Sequence, residues 1–243
     1  MPSRRGDAIS IPGDYQLRAS QSPNAVQRFW HAAKKLTIDQ MLPPQSGDRI
    51  IDSGCGSGVV ADYLAASGAD VTAIDANPEA IRFATSAFRR PNLRFLTGFV
   101  TDDLHLDAPV DKIYSLEVIE HLYETDGESM LQKFFLTLRP GGRVLLTTPN
   151  YRSLWPLLEW TLDLFGMVPA LDEQQHIAHY HRRSLRRAAE LQGFRVLSVR
   201  SVCFLSPWIA PVSWKLATAT AKRELKLPLA FGCILVAVLE KPA

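Results

Sequence analysis

Cysteine is scarce in this chain, with only Cys55, Cys203 and Cys233, far apart and without a CxxC pair. An odd, scattered set argues against a secreted disulfide framework and against a structural zinc site. Long apolar runs are missing too. The longest, residues 227–239, is about thirteen residues and is broken by Pro228 and Gly232. A spanning helix needs about twenty apolar residues, so no transmembrane segment is expected. Residues 1–24 contain arginines but no apolar h-region, which argues against a signal peptide. Charge of one sign is also lacking: 27 Lys and Arg face 25 Asp and Glu. That balance argues against a dedicated nucleic-acid binder. The expected compartment is the cytoplasm, with a peripheral station on the inner face of a membrane kept open.

The apolar fraction is 47% and the charged fraction 21%, ordinary globular usage that excludes wholesale disorder. A length of 243 residues suits one large domain or two small ones. Charge is unevenly spread. Residues 182–226 hold ten Lys and Arg against two Glu, which leaves the rest of the chain net acidic. One anion-attracting face would result, or merely a solvated helix surface.

Residues 1–22 are polar and punctuated by Gly and Pro, and are expected to form a flexible tail. Ser22-Pro23 reads as a helix start, with apolar positions at helical spacing through Met41. After Pro43-Pro44 the pattern alternates. Strands are expected at 49–52, 70–75, 93–97, 112–116 and 143–148, with helices at 59–67, 78–88 and 125–138 between them. Such alternation implies an α/β fold with a doubly wound, mostly parallel sheet. A helix over 184–192, a strand over 194–202, an irregular apolar stretch and a last strand near 232–239 complete seven strands. Residues 23–243 are expected to form a single domain.

The first strand runs into Asp52-Ser53-Gly54-Cys55-Gly56-Ser57-Gly58. Glycines at alternate positions let the backbone turn sharply and admit a ligand close to its N–H groups. The second strand ends at Asp75, where a carboxylate can accept both hydroxyls of a ribose or cap the helix that follows. With the segment Glu117–His121 after the fourth strand and the turn Arg139-Pro140-Gly141-Gly142, these features resemble the class I S-adenosylmethionine (SAM)-dependent methyltransferases. The spacing separates this pattern from the GxGxxG of NAD-binding domains.

The resemblance implies a Rossmann-like, seven-stranded sheet with an antiparallel last strand, and SAM as the cofactor. Asp52 would contact the methionine amino end, Gly54 and Gly56 would line the path to the ribose, and Asp75 would bind its hydroxyls. The expected cofactor-binding set is Asp52, Ser53, Gly54, Cys55, Gly56, Gly58, Asp75, Ala76, Phe99, Val100, Asp102, Leu116 and Glu117. Family members often carry Gly-Asp after the third strand, where this chain has Gly98-Phe99. Asp102 or Asp103 substitutes near the adenine, or Phe99 packs on the ring.

In Glu117-Val118-Ile119-Glu120-His121 a helical turn would put residues 117, 120 and 121 on one face. Two carboxylates and an imidazole suit a mixed oxygen and nitrogen metal site. His176, in His176-Ile177-Ala178-His179-Tyr180-His181, is the expected fourth ligand, with His179 and His181 as surface or helix-start residues. This arrangement resembles the ubiquinone-pathway O-methyltransferases and the small-RNA 2′-O-methyltransferases, in which it implies Mg²⁺ or another divalent ion. Two other readings stay open. His121, with Glu117, does acid–base work without metal, or the cluster is plain packing.

Leu154, Leu158, Leu162 and Phe165 fall on one side of a helix, widened by Trp155, Trp160 and Leu164. The segment near 151–182 is therefore expected to cover an acceptor. Residues 204–214 are apolar and aromatic beside Lys215, Lys222, Arg223 and Lys226, which suits either an anionic membrane surface or a core hairpin. The function expected is O-methylation of a small hydrophobic acceptor, such as a quinone precursor or lipid. The alternatives are RNA 2′-O-methylation and a non-catalytic SAM-binding partner protein.

Overall fold

The computed structural model describes residues 12–104, 106–153, 177–228 and 231–243. Its strands are β1 (Arg49–Ser53), β2 (Asp70–Asp75), β3 (Leu93–Thr97), β4 (Val110–Leu116), β5 (Leu138–Pro149), β6 (Arg195–Val202) and β7 (Ile234–Glu240). The helices are α1 (Tyr15–Ser20), α2 (Ala25–Met41), α3 (Val59–Ala65), α4 (Pro78–Ala87), α5 (Glu124–Thr137), α6 (Arg182–Leu191), α7 (Ser206–Ile209) and α8 (Trp214–Lys226).

The seven strands form one sheet in the order β3-β2-β1-β4-β5-β7-β6. Strands β1 to β5 pair in parallel, and β7 runs antiparallel between β5 and β6. The expected α/β class and the antiparallel last strand both hold. Strand order reverses between β1 and β4, and ligands of such sheets bind beyond the carboxyl ends of strands at that point. The Asp52–Gly58 loop and Glu117 follow those two strand ends.

Burial explains why the inner strands are near-continuous apolar runs. Every residue of β7, Ile-Leu-Val-Ala-Val-Leu-Glu, is buried. Two apolar clusters flank the sheet. One joins Phe29 and Ala33 of α2 to Ala61 of α3 and Ala217 of α8; the other joins Met130 and Phe134 of α5 to Leu185 of α6. At about 25 cal/mol per Å² of apolar surface removed from water, these layers are the main favourable term in folding.

Four local expectations are corrected. Residues 15–20 of the expected tail form α1, because Leu17 N–H donates to Ser57 Oγ at 3.1 Å and ties the helix to the glycine loop. The next helix starts two residues later than the expected Ser22-Pro23. Asn24 caps it, its Oδ1 accepting from Val26 and Gln27 N–H, while Ser22 Oγ accepts from Asn24 N–H. The Pro140-Gly141-Gly142 turn lies within β5, since Gly141 N–H donates to Lys241 O and Lys241 N–H to Gly142 O. The stretch after β6 contains α7 and α8 where irregular chain was expected. Buried Glu224 explains that geometry: its carboxylate accepts from the N–H groups of Cys203, Phe204, Leu205 and Ser206 and from Ser206 Oγ.

Residues 154–176 of the expected acceptor-covering segment lie outside the described residues. Its described flanks return to the end of β4. Ile177 and Ala178 N–H donate to Glu120 O, and Tyr151 N–H donates to Tyr180 O.

Candidate donor site

The glycine loop closes β1 against β2. Gly54 N–H donates to Ile74 O at 2.8 Å, and Gly56 N–H donates to Asp75 Oδ2 at 2.7 Å. Gly54 has φ 75° and Gly56 φ 48°, left-handed conformations that favour glycine. Space enforces the same choice. A Cβ on Gly54 would overlap Val118 Cγ2, and one on Gly56 would collide with the Gln16 side-chain amide. Gln16 Oε1 accepts from Ser57 N–H at 2.8 Å, so α1 sits directly on the cradle.

Two carboxylates end the neighbouring strands. Asp75 uses its other oxygen to accept from Asn77 N–H at 2.8 Å. Burial raises its pKa, against the lowering effect of the Asn77 and Gly56 amides. Asp52 is more strained electrostatically. It is buried, its Oδ2 has no hydrogen-bond partner among the described residues, and burial followed by the Asp75 charge pushes its pKa up to about 7. An unsatisfied buried carboxylate oxygen of this kind is costly unless a donor arrives.

Asp52 faces a cavity of about 290 Å³ lined also by Gly54, Cys55 and Leu116. Its opposite wall is the polar side of α2, with Arg28, His31 and Lys34, and Gln16 of α1. Sequence reasoning missed these residues. Arg28, His31, Lys34 and Lys35 do recur at helical spacing, a stripe that reads as a solvated face until the sheet edge is placed beneath it.

Glu117 anchors the wall. Its φ of 60° turns the backbone sharply after β4, and both Thr147 O and Thr147 Oγ1 accept from its N–H at 3.1 Å. Its carboxylate accepts from Trp30 Nε1 at 3.1 Å and pairs with Lys34 Nζ at 2.7 Å. Burial would raise its pKa, but Lys34, His31 and Trp30 outweigh burial and hold the carboxyl below the usual range. His31 goes the other way. Burial and then the Lys34 charge lower its pKa to about 4, so its imidazole is neutral at pH 7.

The sequence profile of the methyltransferase-domain family matches residues 26–199. The chain belongs to that family. Among relatives, the ubiquinone biosynthesis O-methyltransferase of Xylella fastidiosa strain 9a5c is 32% identical over 140 residues, covering 53% of each chain. The mitochondrial ubiquinone biosynthesis O-methyltransferase of Schizosaccharomyces pombe is 30% identical over 172 residues, covering 65% of this chain and 59% of that one. The matches thus span a little over half the length of these relatives. Among solved structures, a SAM-dependent methyltransferase from Mesorhizobium loti superposes with a TM-score of 0.62 at 19% identity, covering 87% of this chain and 96% of that one. The Burkholderia thailandensis 1,6-didemethyltoxoflavin-N1-methyltransferase gives 0.59 at 17% identity, covering 98% and 87%. These structural likenesses show the fold.

In this methyltransferase fold the residues of the donor loop fit SAM. Asp52 supplies an acceptor without a partner among the described residues, and it lines the cavity together with Gly54 and Cys55 of the loop. Ser53, Cys55 and Gly58 are buried parts of the loop, and Ala76 and Phe99 are half-buried at the ends of β2 and β3. Val100 is buried with Ile51 and Ile74 in the α5-side cluster, so it supports the loop from beneath. Of the two acids offered for the adenine, Asp103 Oδ2 accepts from Phe99 N–H at 2.6 Å and fixes its own turn. Asp102 is exposed.

The expected metal site is corrected. Among the described residues no group of three His, Cys, Asp or Glu is placed to hold a metal ion. Glu117 and Glu120 diverge: the first is bonded to α2 on one side of the sheet, and the second acts electrostatically on Tyr180 on the other. The cause is local. Residues 119–121 form a single 3-10 turn after the left-handed Glu117, which breaks the helical register that would align 117 with 120 and 121. Glu117, Glu120 and His121 are not gathered as a ligand set among the described residues, and His176, the expected fourth ligand, lies outside them. The other two histidines match their expected roles. His179 stacks on Tyr151 at 4.0 Å, and His181 caps α6, its Nδ1 accepting from Arg183 and Ser184 N–H.

Proposed function

We propose that this chain transfers a methyl group from SAM to an oxygen of a small, apolar acceptor of quinone-precursor or lipid-like kind. The observation that carries the reading is buried Asp52, which lines the cavity beside the glycine cradle and has an oxygen without a partner among the described residues. SAM supplies a sulfonium methyl, an electrophile that needs no activation beyond alignment with the acceptor oxygen.

The protein's tasks are therefore holding and aligning. Asp52 would hold the ammonium of the donor's amino-acid end through charge-assisted hydrogen bonds. Lys34 and Arg28 give the same cavity the positive charge that a carboxylate requires. Asp75 keeps lone pairs for ribose hydroxyls while its two oxygens hold Gly56 and Asn77. Glu117 stays ionised because Lys34 is 2.7 Å away, so it fixes α2 and does not carry a proton. His121, half-buried on the turn after β4, would take the acceptor's proton, a role supported by its place after that strand end. The names of relatives near 30% identity favour oxygen over nitrogen or carbon as the methyl acceptor.

Methyl-labelled SAM offered with a native-cell lysate tests this reading by partition between organic and aqueous phases. Organic-phase label, indifferent to chelator and lost in Asp75→Asn, is the expected result. Label confined to the aqueous phase would overturn the apolar acceptor and favour RNA or a polar metabolite. A protein that binds SAM but labels nothing would be the non-catalytic partner.

A further inference from the structure

The described residues include eleven large hydrophobic side chains that are exposed, and seven of them fall between 205 and 231. Scattered exposed apolar residues need no explanation, but a concentration of them does. Val212, on the turn joining α7 to α8, is 89% exposed, and Trp208 of α7 is 51% exposed. Phe231, beside Phe204 with ring centroids 6.5 Å apart, projects from the loop before β7.

Helix α8 continues the pattern in two adjacent stripes. Ala217, Ala221, Glu224 and Leu225 face the protein. Lys215, Lys222 and Lys226 follow one line along the outer side, and Leu216, Arg223 and Leu227 follow the next, all exposed. The spacing of 3.6 residues per turn puts each stripe on a single face. No acid interrupts them: Glu224, the one carboxylate between 204 and 231, is buried beneath the loop it holds. Residues 182–226 have a surplus of eight positive charges, so the remainder of a chain of formal charge +2 is net acidic.

We propose that the α7–α8 face, with Trp208 and Val212 at its tip and the Lys215, Lys222 and Lys226 stripe beside them, docks on a bilayer rich in anionic lipid. Protruding apolar and aromatic side chains enter the headgroup zone, while a cationic stripe meets lipid charge. Trp214 joins this face to the donor cavity: it lines the cavity, packs on Phe29 of α2 at 5.1 Å and has Arg28 over its ring. An apolar acceptor would then pass from the bilayer to the site without crossing water. That consequence rests on the proposed methyl transfer; the docking does not.

The test is co-sedimentation of the full chain with phosphatidylcholine vesicles containing 0 or about 30% phosphatidylserine, at low and high salt, without donor or acceptor. Binding to the anionic vesicles that salt weakens is expected. Charge reversal of Lys215, Lys222 and Lys226 to Glu should weaken it by about a hundredfold or more, taking about fivefold per lost cation. Val212→Asp should weaken it at both salt concentrations. Binding of S-adenosylhomocysteine by the same preparations shows that each variant is folded, and its loss in wild type would fail the donor reading alone. No sedimentation at low salt, or sedimentation unchanged by both sets of variants, would overturn the proposal. So would concentration-dependent dimerisation abolished by Val212→Asp without vesicle binding, which would assign the face to a second copy.

Discussion

Replacing Asp52 with Asn should make the protein more stable at alkaline pH and a poorer binder of its donor. In the folded state Asp52 titrates near pH 7, against an ordinary value of 3.8. Between those two values the folded protein holds a proton that the unfolded chain has released, so Asp52 makes stability fall as pH rises from about 4 to 7. The loss is complete above pH 7. At 1.36 kcal/mol per pH unit the full penalty is roughly 4 kcal/mol. It is a large share of the 5–15 kcal/mol that typically holds a protein folded. The near-isosteric amide carries no charge to desolvate, and it also removes the repulsion that Asp52 exerts on Asp75.

The assay is thermal unfolding of wild type and Asp52→Asn at pH 5 and pH 8.5, with and without S-adenosylhomocysteine. The variant should gain on wild type by about 10 °C more at pH 8.5 than at pH 5. Ligand should close the gap, because its ammonium supplies the partner that buried Asp52 lacks and only wild type gains it. Donor affinity of the variant should fall about 10- to 100-fold with the loss of a charge-assisted bond. A stability difference independent of pH would refute the reasoning about Asp52. An unchanged affinity would refute its placement at the amino end of the donor.

Three further outcomes follow from other contacts. Lys34→Met leaves the Glu117 carboxylate without its cation and should cost about 3 kcal/mol in urea unfolding at pH 8. The ion pair stabilises only where Glu117 is ionised, so the deficit should shrink as pH falls below 5, and Glu117→Gln should recover part of it. Gly54→Ala meets both a positive φ and Val118, and should destabilise by about 2–3 kcal/mol while abolishing donor binding. Glu224→Gln keeps one acceptor oxygen of two for five donors, and loss of about 2–4 kcal/mol on denaturation is expected.

The regular strands and the donor loop were legible in the sequence because both have local signatures. Asp70–Asp75 and Leu93–Thr97 are flanked by glycine, asparagine and proline, and the glycine spacing at 54, 56 and 58 announces a turn whatever surrounds it. The carboxylate pair Asp52 and Asp75 followed from that loop by register. The reaction end was read less well. A helix through 117–121 was assumed, but the left-handed Glu117 precedes a short 3-10 turn, and a backbone reversal at a glutamate has no sequence signal. The α2 wall was missed for a different reason. Arg28, His31 and Lys34 form a polar stripe, and polarity alone does not distinguish solvent from a cavity that takes a charged ligand. Helix α1 escaped notice because six residues carry too little periodicity; its order comes from Gln16 and Ser57, 41 residues apart.

Calorimetric titration of S-adenosylhomocysteine into the protein at pH 7, in two buffers of different ionisation enthalpy, probes the donor site itself. Binding with release of a fraction of a proton is expected, because the ligand's ammonium favours the ionised form of Asp52. Asp75→Asn should bind at least tenfold more weakly, and Asp52→Asn should bind without that proton release. Absence of binding by the wild-type chain, or binding that neither substitution alters, would contradict the site described.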